Sequence, residues 1–321
     1  MTKVNKISVM LIAAIAAASI LSCTKEENAA TGNHAIGFRS NDVWTKAMVS
    51  DEEGLKNGGF HVYAQGTFDG TGGTYRFDRH VTFTDGGWNY KNLEYWLPTC
   101  SYVFRAYYPA DLTVSKTGDA IQGFEQESQY GTQTDVLMAT ATRSTAQIET
   151  EGTTVPLTFK HLLSNLDVKL TVESMQVDGV NTNAINANIL AVAFSGTSRT
   201  ADYKNGSWIN HTGDLSVGDN MSGNVTLSWE KETSIFPNGL LVIPEELGHG
   251  DVTLYILANI GLPNGITMEK SWTLPVPEIE WKPGRRYTYT AKLTQTFNIE
   301  FDEPSVETWH GAPLSGTVII R

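Results

Sequence analysis

Positive charge is scarce in this sequence, and cysteine is scarcer. There are 23 Lys and Arg residues against 35 Asp and Glu residues, so the formal net charge is −12. Such an acidic chain is a poor partner for nucleic acid and for anionic membrane surfaces, because both bind positively charged protein faces. The two cysteines are Cys23 and Cys100. A framework of several disulfides is therefore excluded, and the fold must be held by packing.

The sequence also lacks the local motifs that many enzymes carry. The seven histidines are scattered without an HExxH-like pair, and no GxSxG segment is present. The glycine cluster at 70–73 is not followed by the Lys-Ser/Thr pair of a phosphate-binding loop. Cys100 has no motif around it and is expected to be a buried small residue. We therefore predict no catalytic residue, no metal ligand and no cofactor, and a protein that is not an enzyme.

The N-terminus carries an export signal followed by a lipidation site. Two lysines precede an apolar, alanine-rich run at 7–20, which is too short to cross a bilayer as a helix. Ile20-Leu21-Ser22-Cys23 then resembles the lipobox of bacterial lipoproteins. Acyl chains on Cys23 would anchor the protein durably, since each buried methylene contributes about 0.8 kcal/mol. The predicted location is the outer membrane, on the exposed face of the cell.

Alternation of apolar and polar residues predicts an all-β protein. Apolar side chains occupy every second position at 166–172, 287–293 and 297–301, as expected of strands with one face on a core. Turn-forming sequences such as Asp85-Gly86-Gly87 separate the predicted strands. The spacing of short strands and turns predicts β-sandwiches.

The length of the exported chain predicts two domains. About 300 residues follow the signal, which is near the size at which a single core usually divides. A polar, threonine-rich stretch at 139–154 is the candidate connection, so the boundary is placed at Val155. The predicted parts are a signal peptide (1–22), a tether with an N-terminal segment (23–46), a first sandwich (47–155) and a second sandwich (156–321).

The eight tryptophans allow two interpretations. Aromatic faces stack on sugar rings, and a surface glycan-binding lipoprotein would share the signal, the acidity and the aromatic content. That protein is the alternative function. Most tryptophans of β-proteins instead pack in cores and near turns. A core or near-turn location is expected for Trp88, Trp96, Trp208, Trp229, Trp272 and Trp281.

Six pieces of sequence form an ordered series over most of the exported chain. They are 102–109, 135–140, 157–164, 241–244, 281–289 and Trp309. Together with the lipobox, the series resembles the fimbrillins, which are subunits of the lipoprotein-derived type V pili of Gram-negative anaerobes of the mouth and gut. No single piece is diagnostic, and the specificity comes from their order.

The resemblance implies two tandem transthyretin-like β-sandwich domains and a structural or accessory role in cell-surface fimbriae that support adhesion. A sandwich that lacks one strand exposes unpaired backbone groups and an apolar groove, which a strand from another chain can fill. In this family's scheme the precursor fills the groove with its own N-terminal strand until a trypsin-like protease removes that strand. The implied partners are other fimbrial subunits, self or related, and a host protein or glycan receptor.

The resemblance also places the removable strand and its cleavage sites. The candidate strand includes Ile36-Gly37-Phe38, and the basic residues that follow it are Arg39 and Lys46. Cleavage after Lys46 is preferred, because Trp44-Thr45-Lys46-Ala47 stands where such proteins are cut. Arginine is the more usual residue at that site, and in this respect the chain departs from the family.

The donor strand would come from the C-terminal segment. Leu314, Val318 and Ile320 share one parity with Gly316, whereas Thr317 lies on the other. This segment could therefore place alternate apolar side chains in a neighbour's groove. The alternative is that it forms the last strand of its own sandwich, and the sequence leaves both open.

Overall fold

The structure is a computed structural model that describes residues 34–41, 52–261 and 265–309. Helices are few in these residues: α1 spans Glu52–Gly58 and α2 spans Ile148–Glu151. None of the helices in this part of the chain is long and apolar enough to cross a membrane. The rest of the regular structure is β, apart from 3-10 turns at Tyr130–Thr132 and Thr145–Gln147.

The first half of the described chain forms two layers of strands. Its strands are β1 (Gly37–Asn41), β2 (Phe60–Phe68), β3 (Thr74–Thr84), β4 (Gly87–Asn89), β5 (Cys100–Tyr108), β6 (Ala120–Glu125), β7 (Leu137–Ser144), β8 (Thr154–Thr158) and β9 (Lys160–His161). One layer is a sheet in the order β4-β3-β2-β5-β7-β9. The other contains β1 and β8, which pair in parallel. Apolar side chains from both layers share one core.

Alternation builds this first core. In β2, Phe60, Val62 and Ala64 are buried, while the residues between them are half-buried. Phe104 of β5 is fully buried and packs edge-on against Phe38 of β1, with ring centroids 5.9 Å apart. The period-2 pattern therefore gives each strand one face for the core, as the sequence predicts.

The second half contributes two further sheets. Its strands are β10 (Ser164–Val172), β11 (Ser174–Val177), β12 (Val180–Asn183), β13 (Asn186–Lys204), β14 (Ser207–Thr226), β15 (Thr233–Ser234), β16 (Leu240–Val242), β17 (Glu246–Leu247), β18 (Thr253–Gly261), β19 (Thr267–Pro275), β20 (Ile279–Glu280), β21 (Arg285–Leu293), β22 (Ile299–Phe301) and β23 (Ser305–Thr308). One sheet runs β15-β10-β21-β22, with β16 also on β10 and β23 also on β21. The other runs β14-β13-β18-β19. A second core lies between them.

The two halves interlock at a junction. β6, from the first half of the chain, pairs with β13 in the second half, so that Tyr203 lies opposite Ile121. A third apolar cluster, the junction cluster, contains residues from both halves, including Tyr107 and Leu241. The indole of Trp208 donates a 2.6 Å hydrogen bond to the carbonyl of Leu162 within it. The halves therefore share a strand pairing and a core.

The all-β, sandwich-like prediction is confirmed. Residues 166–172 lie in β10 and residues 287–293 in β21, whereas only part of 297–301 is a strand, because Phe297 has a positive φ of 61° in the turn before β22. The predicted boundary at Val155 falls inside β8, and the start of the predicted connection at 139–154 belongs to β7. The division into two tandem domains stays a prediction.

Candidate strand-exchange site

Most of the residues predicted to anchor, release or donate a strand lie outside the described residues. These are Cys23, Lys46, Leu314, Val318 and Ile320. The predicted removable strand, by contrast, is described: Ile36-Gly37-Phe38 lies at and within β1. Arg39 lies in the same strand. The described part of the candidate site therefore consists of β1 and the surfaces that it contacts.

β1 bridges two segments that do not pair with each other at this place. Ala35 forms an antiparallel bridge with Tyr95, and the amide of Ile36 donates to the carbonyl of Glu94 at 2.8 Å. From Gly37 onward the strand leaves this partner and pairs in parallel with β8, as far as Thr158. Without β1, both neighbours would expose unpaired backbone groups.

Side chains of β1 and of the residue just before it fill the first core. Ile36 and Phe38 are each 1% exposed. The ring of Phe38 lies 5.6 Å from that of Tyr90 and 5.9 Å from that of Phe104, measured between centroids. Burial of a side chain of this size contributes about 1.5–3 kcal/mol. Two alternate apolar side chains therefore supply much of the affinity of this strand for its groove.

Two aromatic side chains from the 90–96 segment bind backbone atoms beside β1. The hydroxyl of Tyr90 donates to the carbonyl of Ile36 at 2.7 Å and accepts from the amide of Glu94 at 3.2 Å. Burial raises the pKa of Tyr90, so the phenol keeps the proton that it donates. The indole of Trp96 donates to the carbonyl of Thr153, next to β8, at 3.0 Å. Sequence reasoning placed Trp96 in a core but did not predict either backbone contact.

Gly37 separates the two buried side chains of β1 where space is limited. A Cβ atom at this position would lie 3.1 Å from Oγ1 of Thr154. That distance is shorter than ordinary van der Waals contact, so a larger residue would require Thr154 to shift. The groove therefore favours a strand with a small residue between its two apolar ones.

Arg39 is half-buried and pairs with Pro156 along the β1–β8 ladder. The bond that follows it, to Ser40, lies within the paired strand. On the other side of β8, the guanidinium of Arg143 donates to the carbonyl of Thr154 at 2.5 Å and pairs with Glu151 at 3.2 Å. β8 is thus held by a second contact that does not involve β1.

Trp309, the last described residue, is held at the junction. Its indole stacks on the imidazole of His161, with ring centroids 3.7 Å apart and planes 16° apart. Nδ1 of His161 lies 2.5 Å from Oδ2 of Asp135, and both side chains are buried. The backbone amide of Trp309 donates to the carbonyl of Gly284 at 2.9 Å. These contacts fix the end of the described chain at the junction.

One cluster in the second half contains Ser, His and Glu, the residue types of a serine hydrolase, but its hydrogen bonds run in the wrong direction for catalysis. The hydroxyl of Ser198 donates to Oε2 of Glu245 at 2.6 Å, and its oxygen lies 3.1 Å from Nδ1 of His211. Because a hydroxyl has one proton, the imidazole must donate to Ser198 and does not accept from it. A catalytic triad requires the opposite. This cluster ties β13 to the segment after β16.

The described residues also bear on metal and glycan binding. They contain no group of three or more His, Cys, Asp or Glu side chains placed to hold a metal ion. None of the seven tryptophans in the described ranges is exposed: Trp88, Trp96, Trp208, Trp281 and Trp309 are buried, and Trp229 and Trp272 are half-buried. The core or near-turn location predicted for six of them is confirmed. A sugar-stacking platform of exposed tryptophan is absent from this part of the chain.

Two of the similar solved structures have TM-scores of 0.50 or more, and these two support the fold. A fimbrial protein from Bacteroides vulgatus is 18% identical, with a TM-score of 0.64 over 86% of this chain and 99% of its own. A putative cell adhesion protein from Parabacteroides distasonis is 10% identical, with a TM-score of 0.50 over 88% of this chain and 98% of its own. The tip fimbrial protein Mfa3 from Porphyromonas gingivalis is 10% identical, with a TM-score of 0.41 over 86% of this chain and 100% of its own.

Comparison of sequences identifies the family. No curated protein sequence matches the chain. A family model described as fimbrillin-like matches residues 45–309, which is more than half of the sequence. This range includes every piece of the ordered series on which the resemblance rests. The chain belongs to the fimbrillin-like family.

Proposed function

We propose that this chain is a structural or accessory subunit of cell-surface fimbriae, assembled by protease-triggered β-strand exchange and supporting adhesion. A lipid on Cys23 would tether the precursor to the outer membrane. The observation that carries the proposal is β1 with the residue just before it, because Phe38 and Ile36 complete a core with two fully buried side chains. Family membership supports the fimbrial role and a location at the cell surface.

The contacts of β1 are of a kind that another strand can reproduce. Its ladder with β8 and its bonds to Glu94 use backbone atoms, so they do not depend on sequence. Its specific demands are two apolar side chains at alternate positions and a small residue between them. A donor strand from a neighbouring subunit, self or related, that meets these demands could take the same place.

The position of Arg39 supports cleavage after Lys46. A protease needs the backbone around its target bond to be open, and the Arg39–Ser40 bond lies in a paired strand beside the buried Phe38. Lys46 lies five residues beyond the end of β1. Cleavage there would cut the covalent link and leave β1 bound only by its contacts in the groove.

Limited trypsin treatment of the folded protein tests this proposal. The Lys46→Ala variant should resist N-terminal trimming, and the matched Arg39→Ala variant should be trimmed like the parent, with Ala47 as the new N-terminus. Trimmed protein should then form ladders that resist warm detergent, and deletion of residues 314–321 should abolish them while the near-UV dichroism of the monomer is kept. A first cut within 139–154, or ladders that survive the deletion, would contradict the proposal.

The glycan-binding alternative predicts a different result. Retardation of the untrimmed protein in a polysaccharide-containing gel, without ladders after trimming, would favour it. The burial of the described tryptophans weakens this alternative but leaves other kinds of sugar contact open to the test.

A further inference from the structure

A small hairpin in the second half presents an apolar face to solvent. β11 and β12 pair with each other and with no other described strand. Their register places Val177 directly opposite Val180, and Met175 lies two residues before Val177, on the same face of the hairpin. All three side chains are exposed, and Val180 is 67% exposed. The hairpin therefore carries an apolar face that nothing in the described part of the chain covers.

The hairpin is held in a defined position despite this exposure. Its turn is Asp178-Gly179, and the positive φ angles of these residues, 52° and 77°, are those that a two-residue hairpin turn requires. At its base the amide of Glu173 donates to the carbonyl of Leu293, and the amide of Ala184 donates to the carbonyl of Glu173, each at 2.8 Å. An isolated two-stranded hairpin is only marginally stable in water. The apolar face is thus a preformed surface, and a partner that covers it would stabilise the hairpin.

The segment between β4 and β5 carries a second exposed apolar surface, the Leu93–Tyr95 patch. Glu94 and Trp96 of this segment are buried. Leu93 and Tyr95 alternate with them and are 55% and 42% exposed. Large apolar side chains that are exposed next to one another are typical of surfaces that bind a partner. The patch is therefore a candidate contact surface beside the groove of β1.

The hairpin and the patch lie at the two ends of the fold that face away from the junction. β10 begins next to Leu163 of the junction cluster and runs for 9 residues to Val172, just before the hairpin. A strand of that length spans about 26 Å. In the first half, β8 leads to Leu162 of the junction cluster, and β1 is parallel to β8. The start of β1, where Ala35 bridges to Tyr95, is therefore the end of the first half that is away from the junction.

The two surfaces complement each other in charge. The strands and turn of the hairpin contain one charged residue, Asp178, which is exposed at the tip. Lys91 is exposed beside the Leu93–Tyr95 patch. The other charged residue of that segment, Glu94, is buried and paired with Arg79. A hairpin from another copy of the chain can therefore place Asp178 next to Lys91 while its apolar face covers the patch.

We propose that, in assembled fimbriae, the β11–β12 hairpin of one copy of this chain packs on the Leu93–Tyr95 patch of the next copy. This inference rests on the proposed function, because it places the contact between fimbrial subunits. A contact between two different surfaces of the same chain repeats from copy to copy and builds an open filament. The apolar area is small, so the contact orients a neighbour at the groove and adds to strand exchange without replacing it.

Crosslinking between two variants tests this contact. One protein carries Val180→Cys and the other carries Leu93→Cys, each in the full chain with Cys23→Ala, and the native Cys100 is buried. The two proteins are mixed, trimmed with trypsin, concentrated and treated with a short bis-maleimide. The proposal predicts a crosslink between positions 93 and 180 of different copies, mapped by mass spectrometry. Val306→Cys replaces Val180→Cys in the matched control, because Val306 is 52% exposed but lies on β23, which leads to the junction. The control should give at least tenfold less crosslink.

Exchange of the two charges tests the contact without a crosslinker. Asp178→Lys and Lys91→Asp should each raise the protein concentration at which ladders form by about threefold, the size expected of an exposed ion pair. The double variant restores opposite charges with the partners exchanged, so it should assemble like the parent. Val180→Asp should have a larger effect, about tenfold, because it puts a carboxylate into an apolar contact. All three positions are exposed, so each variant should keep the near-UV dichroism of the parent.

The possible results separate this contact from strand exchange. Ladders from the parent without a crosslink between positions 93 and 180, and without an effect of the charge variants, would overturn the hairpin contact and leave strand exchange standing. Crosslinks between two Val180→Cys chains would show a symmetric hairpin contact and would also overturn it. If assembly is unchanged but Val180→Asp abolishes retardation in a polysaccharide-containing gel, the face binds a receptor and the proposal is wrong. Absence of ladders from the trimmed parent would refute the proposed function and this contact with it.

Discussion

The two halves of the molecule protect their sandwiches in different ways. In the second half, side chains of the edge strand β19 bind the turn before β22 in the same half. Lys270 and the indole of Trp272 both donate to the carbonyl of Phe297, at 2.6 and 3.0 Å. The β21 edge is covered by β22 and β23. In the first half, the place between the 94–96 segment and β8 is filled by β1, which a single cut could separate from the rest of the chain. This difference is the one that the proposed strand exchange requires of the two halves.

A buried charge network stabilises the centre of the second half. Breaking it tests whether the two halves respond separately. Asp167 accepts hydrogen bonds from Ser234 and from the amide of Phe236, and Arg286 lies 3.2 Å away. Asp167→Ala would leave a buried amide and a partly buried guanidinium without their acceptor. We expect the free energy of unfolding to fall by about 3 kcal/mol.

Urea denaturation measures this loss. Glu300→Ala is the matched control, because its pair with Lys292 is exposed and should contribute less than about 1 kcal/mol. Asp167→Ala should leave the rate of N-terminal trimming by trypsin unchanged under conditions where the protein stays folded. A trimming rate that rises in step with the destabilisation would show that the two halves do not behave separately.

Opening the first half should require only one substitution in β1. Phe38→Asp removes a buried ring and puts a carboxylate into an apolar groove, which costs several kcal/mol when the charge is unpaired. We expect β1 to leave its groove in the uncut precursor, so that the Arg39–Ser40 bond becomes sensitive to trypsin.

N-terminal sequencing of the tryptic product checks this expectation. Ser40→Asp is the matched control, since Ser40 lies in the same strand but is only half-buried. It should leave the Arg39 bond protected. Protection of that bond in the Phe38→Asp variant would mean that β1 is held mainly by its backbone ladder.

A smaller effect is expected at Tyr90. Tyr90→Phe keeps the ring and removes the bond to the carbonyl of Ile36, which should weaken the seat of β1 by about 1 kcal/mol. The pKa of Tyr90 is raised in the folded state by burial, so this contribution is present below about pH 10 and is lost as the pH rises toward the folded pKa.

The measurement is the rate of β1 release from protein cut after Lys46, followed between pH 7 and pH 11. Release from the parent should accelerate at the alkaline end, and the Tyr90→Phe variant should show less of this acceleration. Identical pH profiles for the two proteins would show that the Tyr90 hydroxyl does not help to hold β1 in the groove.

The smallest effect on the fold is predicted for Cys23→Ala. The substitution should leave the stability of both halves unchanged and abolish the lipid anchor, so that the product is soluble or remains an uncleaved precursor. Fatty-acid labelling and detergent-phase partitioning check this outcome. Partitioning of an unlabelled Cys23→Ala protein with membranes would contradict the lipoprotein prediction.

Much of the fold follows from local pattern. The alternation at 166–172 and 287–293 predicts β10 and β21 because parity along a strand is a property of the chain itself. The same rule fails at 297–301, where a turn places Phe297 over β19 instead of in a strand. The stretch at 139–154 is polar enough to suggest a connection, but its first residues form β7 between β5 and β9.

The sequence alone determined the all-β class, the family resemblance and the alternate apolar residues at Ile36 and Phe38, and the export signal and the lipobox that it indicates stay predictions. Tertiary structure alone decided that β1 pairs in parallel with β8, that β6 crosses into the sheet of the other half, and that Trp309 stacks on His161. The reason is physical. Parity and capping depend on neighbours in sequence, whereas the choice of pairing partner depends on backbone groups and apolar faces brought together from distant parts of the chain.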